Sequence, residues 1–292
     1  MVRLLFQATQ AHLPMKYTLQ LYSSIALAVT VIFLAPSTVE AGPWTKSTGQ
    51  YYVKVGQSLY QASGYRDGDG EFIDGIDYMN TTTFSYAEVG VWEDLHLQLY
   101  LPMTYARSST EFDTVSDLGL GDAFFSVQAS PLDLTMPTSV RLEVKLPLYA
   151  RPDPPHAPAR GDQQVDLALW LSAGGALSDI SLYFYADVGY RHRTQRTLRE
   201  DQIIPPDYSD AFVYLAQVGY TVADTFDVSL TSSAILPLER QGFDETYITV
   251  GPSVFFPISD LIAIEVDGYL TPYARSSAAG WAVGAGISFR GD

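Results

Sequence analysis

The stretch VRLEVKLPLY, residues 140–149, alternates between aliphatic and charged side chains. Every second residue from Val140 onward is aliphatic, while Arg141, Glu143 and Lys145 point to the other side of an extended chain. In a soluble sheet the aliphatic row would face a shared core. In a membrane barrel the same row faces lipid, and the charges face a wet lumen. The fold therefore depends on which side of this strand is the interior.

The composition argues against several classes of function. The chain has 33 acidic and 17 basic residues, a formal net charge of −16, and so lacks the basic surplus that a nucleic-acid partner requires. It contains no cysteine, which excludes disulfide scaffolds, thiolate metal sites and thiol catalysis. Its 292 residues allow one large β domain or two ordinary ones.

The first 41 residues have the pattern of a secretory signal peptide. An apolar run, IALAVTVIFLA, occupies residues 25–35, and Val39 and Ala41 stand where signal peptidase reads small or β-branched side chains. We expect cleavage after Ala41, so that the mature chain covers residues 42–292. Met15 is an alternative start. A single-span anchor is the competing interpretation, but the run is shorter than the roughly 20 residues of a membrane helix.

The mature chain shows a period of two throughout, which predicts an all-β fold. Alternating segments of about ten residues recur to the end of the chain. Their number is about twelve, and an even number is typical of single-chain bacterial barrels. We predict strands at 49–61, 80–92, 95–105, 119–130, 138–149, 163–174, 181–192, 210–221, 226–237, 246–256, 261–272 and 280–289.

The predicted connections alternate in length. In membrane barrels tight turns face the periplasm and longer loops face outside, so both chain ends are expected on the periplasmic side. Aromatic residues near strand ends suit the two interfacial girdles. The predicted short connections are 93–94, 131–137, 175–180, 222–225 and 257–260. The predicted long connections are 62–79, 106–118, 150–162, 193–209, 238–245 and 273–279. The girdle candidates are Tyr52, Tyr60, Trp92, Tyr105, Tyr149, Tyr190, Tyr220, Phe256 and Trp281.

These patterns favour a transmembrane antiparallel up-and-down β-barrel of about 12 strands over a soluble periplasmic sandwich. A sandwich would have to pack about a dozen apolar rows face to face while exposing the charged rows. A barrel needs no second layer, because lipid covers the apolar face and closure pairs the strand edges. We therefore predict the bacterial outer membrane as its location.

Several segments resemble the bacterial outer-membrane family named for the MetA pathway of phenol degradation. The resemblance covers most of residues 80–290 and rests on strand and turn patterns rather than on catalytic motifs. It implies a β-barrel in the outer membrane and transport of aromatic or other hydrophobic compounds. The C-terminus departs from the usual pattern, because RGD follows Phe289 where outer-membrane strands end on an aromatic residue. The matching segments are YAEVGVWEDLHLQLYLP (86–102), LGLGDAFFSVQ (118–128), VRLEVKLPLY (140–149), GDQQVDLALWLSAGGAL (161–177) and YADVGYRHR (185–193).

A mixed row of charged and aromatic side chains is predicted to face the lumen. Such a row can bind or steer a polar solute, or its charges can pair with one another and narrow the pore. Arg141 and Lys145 are expected to orient a phenolate or carboxylate, and Glu143 between them is expected to hold them in place or to block a bare anion. The lumen candidates are Lys54, His96, Tyr100, Arg141, Glu143, Lys145, Asp166, Trp170, Tyr183, Tyr185, Asp187, Arg191, Glu265, Asp267 and Tyr269.

Catalytic and metal-binding patterns are weak. His192, near Asp187 at a strand end, is a conceivable base at a lipid-facing rim, but no G-x-S-x-G motif accompanies it. The acidic segment RDGDGEFIDGIDY, residues 66–78, lacks the spacing of an EF-hand. It is interpreted as a solvated loop, with divalent-ion bridging to lipopolysaccharide as the alternative.

The sequence therefore predicts a passive transporter or channel for small hydrophobic or aromatic compounds. The alternatives are a structural outer-membrane barrel without transport and a lipid-modifying hydrolase. We expect no enzymatic activity, no cofactor and no bound metal. The expected partners are outer-membrane lipid and lipopolysaccharide, together with a small hydrophobic or aromatic solute.

Overall fold

A computed structural model shows the arrangement of the chain. It describes residues 42–131, 134–149, 158, 160–161, 164–194, 208–223, 225–239 and 244–291. The predicted signal peptide, residues 1–41, lies outside these residues. In the described part of the chain, no helix is long and apolar enough to span a bilayer.

Fourteen strand segments form a closed antiparallel barrel of 12 strands, which confirms the predicted all-β fold. Strand β1 pairs with both β2 and β14, and this pairing closes the sheet. Two barrel strands consist of two segments each, because β4 and β5 both pair with β3, and β13 and β14 both pair with β1. The segments are β1 (Tyr51–Arg66), β2 (Phe72–Trp92), β3 (Leu95–Ser109), β4 (Thr114–Leu120), β5 (Asp122–Ala129), β6 (Thr138–Pro147), β7 (Asp166–Leu177), β8 (Leu182–Arg193), β9 (Ala211–Val222), β10 (Phe226–Pro237), β11 (Thr246–Pro257), β12 (Ile262–Arg275), β13 (Ser277–Ala278) and β14 (Trp281–Gly291).

The two ends of the barrel differ. We call the end that carries both Tyr51 and Gly291 the turn end and the opposite end the loop end. The turn end holds the connections 93–94, 130–137, 178–181, 223–225 and 258–261. Of these, 178–180 is a short 3-10 turn, and Ser181 after it has a left-handed φ of 52°.

Three of the predicted long connections are wrong. At 62–79, 106–118 and 273–279 the strands continue, so that only 67–71, 110–113 and Ser276 separate them. The Asp67 carboxylate accepts the N–H groups of Asp69 and Glu71, so the acidic segment closes a tight hairpin turn. Dense Asp and Gly residues therefore mark the tip of an extended hairpin here rather than a long loop.

The barrel is apolar outside and polar inside. Leu142 is 56% exposed on the outer face, whereas Lys145 on the same strand is 3% exposed. Most of the largest fully buried side chains are polar, among them His96, Gln128 and Asp166. This polarity is the reverse of a soluble protein's, and it places the aliphatic row of residues 140–149 on the outside.

Two of the predicted girdle residues lie in the lumen. Tyr52 hydrogen-bonds the Glu265 carboxylate inside the barrel, and the Tyr60 hydroxyl donates to the Ala278 carbonyl oxygen at 2.8 Å. Nearness to a strand end does not determine the face, because the side changes at every residue. The girdle candidates that are exposed on the outer surface are Trp92, Tyr190, Tyr220 and Trp281.

Candidate functional site

The structure places all the predicted lumen residues on the inner face of the barrel. Cross-strand partners share a face, and the predicted residues pair with one another or with other inward side chains. Lys54 lies opposite Tyr86, Arg141 opposite Trp170, and Lys145 opposite Asp166. On the remaining strands the inward positions are those of His96, Tyr100, Glu143, Tyr183, Tyr185, Asp187, Arg191, Glu265, Asp267 and Tyr269.

A cavity of about 750 Å³ occupies the turn-end half of the lumen. A second space of about 470 Å³ shares Lys54, Phe255 and Glu265 with it and extends past Tyr247 and Tyr269. Both volumes are of the size that holds a small organic molecule. Rings and polar groups line the first cavity together, among them Tyr52, Phe84, Tyr86, His96, Gln98, Tyr100, Arg141, Tyr183, Tyr185, Asp187, Phe255 and Glu265.

Glycines on neighbouring strands hold several of the lumen rings against the wall. A methyl group added at such a glycine would come within 3 Å of the ring opposite it. Because no side chain separates ring and backbone, the ring covers the wall and leaves the lumen open. The three cross-strand pairs are Phe84 with Gly56, Trp170 with Gly189 and Tyr183 with Gly219.

Alanine at Gly219 tests this arrangement. Its Cβ would stand 2.1 Å from Cζ of Tyr183, so the ring must move and lose the hydrogen bond that Gln217 Nε2 donates to the Tyr183 hydroxyl at 3.0 Å. We expect a loss of about 1 kcal/mol relative to Gly175→Ala. At Gly175, on the outer face, the added methyl group meets Cζ of Phe184 at 3.3 Å.

The readout is the urea midpoint of the two refolded variants. Both substitutions restrict the unfolded chain in the same way, so the difference between them reports the displaced ring. Equal midpoints would contradict the close approach of Tyr183 to Gly219.

The lumen charges form ion pairs, several of which reach across an intervening strand. Arg191 binds Glu143 over the small side chain of Ala168, which lies between them in the sheet. Lys54 similarly reaches Glu265 past Gly286 of β14, at a position where a Cβ would come within 2.9 Å of Lys54 Cε. The pairs on the inner wall are Lys54–Glu265 at 2.7 Å, Arg141–Asp187 at 3.4 Å, Arg191–Glu143 at 3.3 Å and Lys145–Asp166 at 2.8 Å.

Glu143 does not hold Arg141 and Lys145 in place, so this part of its expected role is wrong. Glu143 pairs with Arg191, and the two cations of its own strand have separate partners. Side chains inside a closed barrel converge toward the axis, whereas those along one strand stay parallel. Charges from different strands therefore meet more readily than neighbours on one strand.

Of Arg141 and Lys145, the two cations predicted to orient a solute, Arg141 lines the cavity. Its guanidinium lies 4.9 Å from the centre of the Trp170 ring, which positions it against the wall. One Nη binds Asp187, while the buried Nε–H has no hydrogen-bond partner in the described part of the chain. The guanidinium of Arg141 thus lines the cavity in a fixed orientation between Trp170 and Asp187.

Lys145 belongs to a buried ion-pair group rather than to the lining of the cavity. Its amine is 2.8 Å from Asp166 and 3.7 Å from Asp122, and it is not among the described residues that line the cavity. An apolar cluster inside the barrel adjoins this region and contains Trp170, Val213 and Ile235, with Tyr247 packed against it. The lumen is therefore filled by side chains at this cluster, whereas the turn-end parts of β8 to β10 line the open cavity.

Sequence reasoning missed the segment before β1, residues 42–50, which lies in the turn-end mouth of the lumen. Pro43 is fully buried, and the Lys46 amine is 3.2 Å from Glu88. The Lys46 N–H donates to Nδ1 of His96 at 3.3 Å, and Gln128 Nε2 donates to the Gly42 carbonyl oxygen. The sequence feature that indicates this segment is a glycine, Gly90, at a lumen-facing position of β2. A Cβ there would stand 1.9 Å from the Ser47 carbonyl oxygen, so a side chain at this position would leave no room for the segment.

His192 lies outside the lumen, on the rim of the loop end. Its Nδ1 is 2.9 Å from Asp210, and its side chain is half exposed. Burial raises the pKa of the Asp210 carboxyl, but hydrogen bonds from Tyr190, the Arg193 N–H and His192 outweigh this and lower it. Among the described residues, His192 bonds no serine hydroxyl, and no group of three or more His, Asp or Glu side chains is placed to hold a metal ion.

Comparisons with known proteins show a similarity of fold but no similarity of sequence. No family model and no curated protein sequence matches the chain, so the resemblance to the MetA-pathway family stays a prediction. An outer membrane channel from Pseudomonas putida F1 superimposes with a TM-score of 0.70 at 8% identity, over 87% of this chain and 100% of that one. The translocator domain of autotransporter NalP from Neisseria meningitidis gives a TM-score of 0.52 at 10% identity, over 94% and 96% of the two chains.

Proposed function

We propose that this protein is an outer-membrane channel that binds and passes small hydrophobic or aromatic molecules. The observation that carries the proposal is a barrel with an apolar outer face and an internal cavity of about 750 Å³ lined by tyrosine rings. The apolar face suits lipid, and export through the predicted signal peptide would bring the chain to it. The shared fold with an outer membrane channel supports the same location.

The lining favours a ring-containing solute over a hydrated ion. Phe84 and Tyr183 lie over glycines and offer ring faces to the cavity. Stacking on such faces binds aromatic molecules, and the tyrosine hydroxyls can bond a polar substituent. The ion pairs of the wall leave little net charge to attract a bare ion.

Arg141 supplies a polar handle for an aromatic acid. Its guanidinium lines the cavity while Trp170 holds the guanidinium plane, and such a group binds a carboxylate or phenolate oxygen. This role replaces the pair of cations predicted from the sequence, since Lys145 is buried between Asp122 and Asp166.

Uptake into proteoliposomes tests whether Arg141 binds the acidic group of the solute. We expect the double variant Arg141→Gln, Asp187→Asn to lower the ratio of benzoate uptake to uptake of a similarly sized sugar by about tenfold, the factor of one hydrogen bond to a charged group. Changing both partners avoids leaving a buried carboxylate alone. The matched control is Arg191→Gln, Glu143→Gln, an ion pair on the same wall that does not belong to the cavity lining.

Three other outcomes would contradict the proposal. An equal fall in both double variants would remove the role of Arg141. Absence of any uptake by the wild type would favour a structural barrel. Lipid hydrolysis that is lost in His192→Ala would favour the hydrolase.

A further inference from the structure

A group of polar side chains on β1 and β2 faces outward. We call it the polar strip and define it as Gln57, Gln61, Thr81, Thr83 and Ser85. All five stand at outward positions, and four of them are exposed, with Thr81 partly so. Gln57 and Thr83 are direct cross-strand partners.

Gln57, Thr83 and Ser85 of the polar strip lie within the apolar outer face, whereas Gln61 and Thr81 are paired with the girdle candidates Trp281 and Tyr105 at its edge. Gln57 is paired with Ala285 of β14, whose outward neighbours Val283 and Ile287 are 45% and 48% exposed. On the other side, Ser85 is paired with Leu101 of β3, which is 38% exposed. Apolar rows thus flank the polar strip on both sides.

Contact with hydrocarbon is unfavourable for the amide and hydroxyl groups of the polar strip. Gln57 Nε2 lies 3.4 Å from the Thr83 hydroxyl, and this contact uses one of the two donors of the amide. The second donor has nothing to bond in lipid, and a polar group without a partner costs free energy there. A protein surface with matching donors and acceptors would remove this cost.

We propose that the polar strip is the interface through which two copies of this chain associate in the membrane. Amides and hydroxyls both donate and accept, so a surface made of them is complementary to itself. A twofold axis along the membrane normal brings equal depths together and sets Gln57 against Gln57 of the second copy. The strip carries no charge, which argues against a partner recognised by ion pairs. Gln57 is paired with Ala285, four residues along β14 from the girdle candidate Trp281, and this depth keeps it away from lipid headgroups. The inference rests on the proposed membrane location.

Single cysteines test this interface, because the chain has none of its own. We expect Gln57→Cys to form a disulfide-linked dimer in oxidised outer membranes at least about tenfold faster than Leu169→Cys. Leu169 is 51% exposed on β7, on the far side of the barrel from β1, and serves as the matched control. Equal rates, no dimer, or a crosslink to a different protein only would overturn the proposal.

A second variant separates association from folding. Gln57→Leu, Thr83→Val replaces two members of the polar strip by apolar side chains of similar size. We expect it to refold in vesicles and to lower the dimer fraction several-fold in analytical ultracentrifugation of the detergent-solubilised protein. A well-folded variant with an unchanged dimer fraction would overturn the interface. Fractionation of the same cells keeps the two proposals apart, since recovery in the soluble periplasm refutes the membrane location itself.

Discussion

Arginine in place of Leu171 is expected to destabilise the folded barrel by about 2–4 kcal/mol. Leu171 is 56% exposed on the outer face, in a row of leucines on β7, and its cross-strand partners are Val140 and Val188. If lipid covers this row, a guanidinium there must enter hydrocarbon or pull water and headgroups toward itself. The measurement is the free energy of unfolding from reversible urea titration in phospholipid vesicles.

The matched control is the same change at Leu215. This leucine lines the cavity and is paired with Asp187, so an arginine there meets water and a carboxylate. We expect Leu215→Arg to cost clearly less than Leu171→Arg. Equal costs at the two positions would mean that lipid does not cover the outer face.

Methionine in place of Lys145 is expected to destabilise the protein by about 3–5 kcal/mol. Its amine lies between the carboxylates of Asp166 and Asp122, and the Lys145 and Asp166 side chains are only 3% and 2% exposed. Without the amine, the buried carboxylates of Asp166 and Asp122 both lose the cation that lies between them. The free energy of unfolding at neutral pH measures this loss.

A neutralised variant distinguishes charge from packing. In Lys145→Met, Asp122→Asn, Asp166→Asn the carboxylates are removed together with the amine, so most of the lost stability should return. If the triple variant is as unstable as Lys145→Met alone, the effect is due to packing and the buried charge is not its cause.

The strand pattern of the sequence was sufficient for the fold. Alternation along residues 140–149 and the eleven other segments gave the number of barrel strands, because a period of two requires extended chain with two different faces. Strand ends were less well predicted. The hairpin tips, DGDGE at 67–71 and TEFD at 110–113, have acidic sequence that is typical of loops, yet backbone pairing continues up to them.

The identity of the lumen side chains also followed from the sequence, since the face of each residue depends on its parity within a strand. Phe84 and Tyr86 share the phase of Glu88, and all three line the cavity. The alternation of faces along a strand does not determine the register between neighbouring strands, that is, which residues lie opposite each other. The tilt and stagger of a closed barrel set that register, and they belong to the whole sheet.

Tertiary structure alone therefore decided which lumen residues meet. Glu143 pairs with Arg191 from two strands away, over Ala168, and Lys145 joins Asp122 and Asp166 in a buried group. Residues 42–50 enter the turn-end mouth for the same reason, because the space they fill exists only after the barrel has closed. Local alternation determined strands and faces, whereas the convergence of side chains inside a closed wall determined the partners.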